Sequence, residues 1–275
     1  MLVLPKAPHK KLTAEQQKAF EAMRALLQDI ERADRLYDEL EHSHTGRIIS
    51  TDIARHLDER YAKEPKKDQE RDIEPGWDLA WRYAQNRLVR EIENRASRKR
   101  LRLMSGGWGA GKTFALRHEP TVTPCLIWDG TLGELTWAVE MIDLALRNQW
   151  QVEVAYVYRD IELALYGAVQ RKREVGRAVP LKELPGNHRT VQQTILSLTD
   201  LYQRDPSVSF LYLHNLGVTG IEAGTPDIGI IDLERNGALH YLPRHEHYYS
   251  QAAENLDSGV RARGSQPSQN RQGTE

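Results

Sequence analysis

Three observations predict an α/β fold: a parallel sheet flanked by helices, with a helical extension on its N-terminal side. An apolar run, Leu101 to Met104, feeds a glycine-rich loop that leads into a helix. After that loop, short β-branched or aromatic runs alternate with stretches of helical periodicity, the pattern of a parallel sheet with crossover helices. Before it, region 1–100 is largely helical in pattern. The loop reads Gly106-Gly107-Trp108-Gly109-Ala110-Gly111-Lys112-Thr113 and fits G-x-x-x-x-G-K-[ST]. Glycines let successive backbone N–H groups converge on a phosphate. Lys112 is placed to reach the β- and γ-phosphates, and the Thr113 hydroxyl to hold Mg²⁺. The helix expected from about Gly111 turns its positive end to the same anion. The fold class is therefore of P-loop NTPase type.

The elements follow in order. Residues 13–42 carry apolar positions at helical spacing, from Phe20 and Met23 through Leu26, Leu27, Ile30 and Leu36, with Thr13 ahead of Glu15 and Gln16 as a start signal. His44-Thr45-Gly46 breaks that pattern, and Arg47 to Ser50 reads as a short strand. Thr51-Asp52 is placed to cap a helix through Leu57. The charged, proline-containing stretch 62–75 reads as a loop, and Trp77 to Arg95 as a second long helix. The basic cluster Arg95, Arg98, Lys99, Arg100 and Arg102 reads first as a solvated helix end and turn. Beyond the phosphate loop the expected order is a strand over Cys125 to Trp128, a helix over Leu135 to Asn148, and a strand over Val152 to Tyr158. A helix over Ile161 to Glu174, another over Val191 to Gln203, and a strand over Val208 to Leu213 follow. Ile228 to Leu233 and Ala238 to Leu242 suggest a hairpin about Asn236-Gly237, and the tail 250–275 is polar enough to predict disorder.

Composition narrows the function. With 38 basic and 39 acidic residues in 275, the formal net charge is -1, which gives no general attraction to nucleic acid. The lone Cys125 excludes an internal disulfide and a CxxC metal site. No apolar run approaches the roughly 18 residues that span a bilayer. The start, Met-Leu-Val-Leu-Pro-Lys, is short for a signal peptide. The expected setting is cytoplasmic, without membrane or nucleic-acid partners.

In a parallel sheet, ligands gather at the carboxyl ends of the strands, and three of those ends carry chemistry. Asp129, in Trp128-Asp129-Gly130-Thr131-Leu132, can position Mg²⁺ or take a hydroxyl proton; the competing reading is a cap for the helix beginning near Gly133. Arg159-Asp160 reads equally as an anion contact and as a surface ion pair. The run Gln170-Arg171-Lys172-Arg173-Glu174-Val175-Gly176-Arg177-Ala178-Val179-Pro180 offers the positive charge that phosphoryl transfer needs, or a solvated helix end.

Several of these motifs together resemble the zeta-toxin family of P-loop kinases: Asp129-Gly130-Thr131-Leu132, the strand ending Tyr156-Val157-Tyr158-Arg159-Asp160, Gly167 to Arg171, and Gly176-Arg177-x-Val179-Pro180, over roughly 101–235. The resemblance implies an ATP-dependent kinase acting on a hydroxyl of a nucleotide or sugar-nucleotide. It implies Lys112 and Thr113 at ATP·Mg²⁺, Arg171 and Arg177 clamping phosphates, and an antitoxin protein as a partner. One departure matters. The family's Asp-x-Asp-x-x-Arg segment, whose Asp is the general base, follows the P-loop helix, yet only Phe114 to Pro124 separates that loop from the next strand here. A similar order of strand, acid, helix, Arg and Tyr occurs upstream, in Ile48 to Arg55 and Tyr61. A circular permutation would place Asp52 as the base; the competing reading makes Asp52 a helix cap and leaves the role to Asp129. The expected organisation is a helical region 1–100 carrying the permuted segment 47–61, a P-loop kinase core over 101–245, and the tail. The alternative function is a nucleotide-binding switch without kinase turnover.

Overall fold

Among the described residues, five parallel strands form one sheet: β1 (Ile48–Ser50), β2 (Arg100–Ser105), β3 (Leu126–Asp129), β4 (Gln151–Tyr158) and β5 (Val208–His214), in the order β1-β3-β2-β4-β5. The computed structural model describes residues 4, 12–58, 69–94, 100–118, 125–175 and 179–215. The strand that feeds the phosphate loop is central, and the short strand from the N-terminal region closes one edge. Ser50, Asp129, Met104 and Ala155 share one row across four strands; β1 and β3 end at that row, β2 runs one residue past it to Ser105 and β4 three past it to Tyr158.

Alternation along the strands divides the sheet into two apolar faces. Leu101, Leu103, Leu126, Trp128, Val152 and Val154 point into the larger core. Helices α1 (Ala14–Leu26), α2 (Ile30–Glu39), α4 (Gln69–Asn94), α6 (Leu135–Arg147) and α8 (Leu184–Tyr202) contribute to it as well, with α3 (Thr51–Ala54). Met104, Ile127, Ala155 and Val157 point the other way, toward Ala115 of α5 (Lys112–His118). Helix α7 (Ile161–Val175) packs with Leu184 and Trp108 in a third cluster beside the loop. Helices flank both faces, as expected. The N-terminal helices share a single core with the sheet: Tyr37, Tyr83 and Leu88 lie in the same cluster as the strand residues.

Several elements differ from the sequence expectation. The helix expected over 13–42 is two helices. Thr13 and Gln16 form a capping box at the start of α1, and the Asp29 carboxylate accepts the Arg32 N–H at 3.0 Å to start α2 anew. The cap of α3 is Ser50, not Thr51 or Asp52, and its α-helical turn passes into a 3₁₀ turn at Arg55–Leu57. Helix α4 begins at Gln69, so 69–75 is helical rather than loop; Pro75 removes one backbone hydrogen bond there. Helix α8 begins seven residues before the expected Val191, with Pro185 in its first turn. Arg102 is neither solvated nor at a phosphate. It lies buried on β2, ion-paired with Glu153 directly across on β4, and Arg100 reaches the same carboxylate at 3.0 Å. Arg95, Arg98, Lys99, the hairpin over 228–242 and the tail lie outside the described residues.

Candidate nucleotide site

The loop leaves the end of β2 and turns through three glycines in the left-handed region, Gly106 (φ 147), Gly109 (φ 77) and Gly111 (φ 96). These positions have no room for side chains. A Cβ on Gly106 would lie 2.7 Å from the Val157 carbonyl, and one on Gly109 would lie 2.5 Å from that of Ala164. The backbone is therefore held in a tight concave course that no larger residue could follow. Thr113 is exposed in the first turn of α5, and Lys112 is half-buried beside it. The Lys112 ammonium donates to Gly106 O at 2.6 Å and to Gly107 O at 3.2 Å. A cation held over the loop by weak carbonyl acceptors suits exchange for phosphate oxygens, and the glycine cradle fits the phosphates of ATP.

The walls that support this loop come from four elements. The Ser105 hydroxyl donates to Thr131 O at 3.0 Å, tying the loop to the segment after Asp129. Arg159 at the end of β4 donates to Gly109 O at 2.9 Å. Asn215, beyond β5, donates to Ala110 O at 2.9 Å. The start of α8 supplies the last pair: Asn187 Oδ1 accepts the Trp108 N–H at 2.9 Å, and His188 Nε2 lies 2.7 Å from Trp108 O. Because Nε2 faces a carbonyl, that nitrogen carries the proton and donates. Burial pushes the His188 pKa down to about 4; the Trp108 carbonyl works against this, and the Lys112 and Arg159 charges reinforce it. His188 is therefore a neutral imidazole lying against Gly107. Asn187 and His188 were absent from the sequence-based candidates, which started the helix only at Val191; Pro185, favoured in a first helical turn, was the available signal.

The other candidates fall into place unevenly. Asp129 is half-buried at the end of β3, next to the loop strand. It does not cap α6, whose N-cap is Glu134. Arg159 is 7% exposed and donates to the loop backbone, so it is not a surface side chain; burial lowers its pKa. Asp52 follows β1 by two residues, at the same carboxyl edge as the loop. Two strand spacings, about 10 Å, separate β1 from β2. Its side chain is 44% exposed and lies 3.4 Å from the Arg55 guanidinium. The Asp52 N–H, for its part, is held by Ser50 Oγ at 3.3 Å. Arg171 lies on α7, about 10 Å along the axis from Ala164. The Arg171 side chain and the whole of Arg177 lie outside the described residues.

Residues 125–210 match the family described as Zeta toxin. The match runs from Cys125, just ahead of β3, to Phe210 in β5, and so lies C-terminal to the phosphate loop and to β1. It is the family that the motifs from Asp129 to Pro180 resemble. Together with the loop, it supports a kinase-like P-loop protein that uses ATP. No curated protein matches the chain.

Proposed function

We propose that this chain is a kinase of zeta-toxin type that transfers the γ-phosphoryl group of ATP to a hydroxyl of a nucleotide or sugar-nucleotide in the cytoplasm. One observation carries the reading: a glycine-lined phosphate loop with Lys112 at its mouth sits at the carboxyl edge of a parallel sheet whose 125–210 segment matches that family. When bound, ATP·Mg²⁺ supplies the phosphoryl group and a divalent charge. The chain's own residues do the rest. The loop from Gly106 to Thr113 holds the phosphates, with the Thr113 hydroxyl toward the metal. Lys112 neutralises charge that builds on the migrating group, and Arg171 and Arg177 add to it. Asp52 takes the proton of the acceptor hydroxyl, and Asp129 is the other candidate for that step.

The strand order supports the permutation. If the acidic segment has moved ahead of the loop in sequence, its strand must still lie parallel in the same sheet, ending at the loop's edge. β1 meets both conditions, pairing Ser50 with Asp129. An antitoxin partner is proposed from the family likeness alone. Incubation with ATP·Mg²⁺ and a metabolite extract, followed by mass spectrometry, is the test. A product heavier by one phosphoryl group, formed with stoichiometric ADP, is expected. Hydrolysis at the same rate with and without extract would overturn the kinase reading in favour of a nucleotide-dependent switch.

A further inference from the structure

The edge strand that carries the Asp52 segment is three residues long, and its outer side has no neighbouring strand among the described residues. One side chain takes that neighbour's place. The hydroxyl of Tyr37, fully buried on α2, donates to Ile48 O at 3.0 Å and accepts the Ser50 N–H at 2.9 Å. Those are two of the outward-facing groups of β1; the Arg47 carbonyl, pointing the other way, accepts from Ile127 of β3 at 2.9 Å. A single oxygen thus makes a pair of bonds of the kind that a neighbouring parallel strand would make. Burial pushes the phenol pKa well above its usual range, so the proton that Ile48 O needs stays in place.

The tyrosine is itself held. The Arg87 guanidinium lies 4.7 Å over its ring and is 1% exposed. Arg87 bonds to Asp38 and donates to Tyr83 Oη at 3.0 Å and Asp34 O at 3.3 Å. Gly46 (φ 73), in the turn into β1, is closed over this group: a Cβ there would lie 2.1 Å from Asp38 Oδ1. Ser50 passes the constraint on, since its N–H is fixed by Tyr37 and its hydroxyl caps the turn that carries Asp52.

We propose that Tyr37, clamped by Arg87, is a positioning residue for phosphoryl transfer, setting the place of the Asp52 turn at the sheet edge through Ser50. This rests on the kinase reading above. A buried tyrosine that served only the core would need its ring alone. Here the hydroxyl is spent on two backbone groups of the strand that leads into the proposed base, and misplacement of a reacting group by about 1 Å can cost on the order of 100-fold in rate.

The test is Tyr37→Phe, which keeps the ring over Arg87 and removes the oxygen. Three quantities are read: kcat for phosphoryl transfer, Kd for ATP, and hydrogen exchange at the Ser50 amide. Tyr202→Phe, which breaks a 2.7 Å bond to Asp143 on the far side of the core, is the comparator for general destabilisation. The expected result is faster exchange at Ser50 and a roughly 10- to 100-fold fall in kcat, with ATP affinity unchanged and with neither effect in Tyr202→Phe. Faster exchange with an unchanged kcat would overturn the positioning role while leaving the kinase reading intact. So would an equal loss of kcat in the comparator. If wild type transfers no phosphoryl group to any acceptor, the kinase reading fails and takes this inference with it. Should Tyr37→Phe not fold, Ser50→Ala leaves both Tyr37 bonds in place and removes only the cap on Asp52. The same fall in kcat at constant ATP affinity is then expected, and its absence counts against the proposal.

Discussion

Acidification should loosen the phosphate loop through one residue, His188. Its ring is 5% exposed, lies against Gly107, and donates to Trp108 O at 2.7 Å. In the unfolded chain the imidazole titrates at 6.5, and in the fold at about 4. The folded value is the lower one, so the unfolded state takes up the proton first as pH falls. The stabilisation is therefore complete above pH 6.5, declines between 6.5 and about 4, and is gone below. A displacement of that size is worth about 3 kcal/mol. For a chain of this length it corresponds to about 6–12 °C in Tm. His188→Gln is the variant to compare, because a glutamine amide can still donate to the carbonyl but does not titrate. Carboxylates elsewhere titrate alike in both proteins, so the difference between the two unfolding curves isolates the histidine. Wild type should lose about 3 kcal/mol relative to His188→Gln between pH 6.5 and 4. A difference that stays flat across that window would show that the imidazole is solvated in the native state, and the account of the α8 start as a dry wall of the loop would fall.

Three further outcomes follow from the site. Lys112→Ala should abolish ATP turnover, removing charge stabilisation on the order of several kcal/mol, while the folded state survives, because the ammonium's bonds to Gly106 O and Gly107 O lie within the loop itself; turnover retained in the folded variant would refute the phosphate-loop assignment. Asp52→Asn should cut phosphoryl transfer by roughly 10²–10⁴-fold with ATP binding intact; if single-turnover rates fall in Asp129→Asn and not in Asp52→Asn, Asp129 is the base. Gly107→Ala would set a Cβ 2.2 Å from the His188 ring. It should cost about 1–3 kcal/mol of stability and weaken ATP binding, both read by calorimetry; a neutral result would mean that the loop and α8 separate easily.

Much of the fold was legible because its signals are local. The phosphate loop announces itself by spacing, since only glycine tolerates the φ values at 106, 109 and 111. The strands at 126–129, 151–158 and 208–214 read correctly because buried parallel strands are continuous apolar runs, and α6 and α7 because their periodicity spans several turns. Local signals also misled. A continuous apolar stripe from Phe20 to Leu36 hid the break at Asp29, where a side-chain oxygen takes the backbone N–H of Arg32. The acid in Thr51-Asp52 looked like a cap, yet the serine before it does the capping.

The sequence by itself determined the phosphate loop, its place between a strand and a helix, the alternating order after it, and the acidic and basic residues available at the strand ends. Tertiary structure alone decided which of them meet. Nothing local to 48–50 says that this strand lies beside β3 rather than beside β2, because strand order is set by how helices α1, α2 and α4 bury their apolar faces against the sheet. Nothing local to 187–188 says that these side chains grip the loop backbone 79 and 80 residues earlier. Such contacts follow from packing between elements distant in the chain, and packing leaves no period in the sequence from which it could be read.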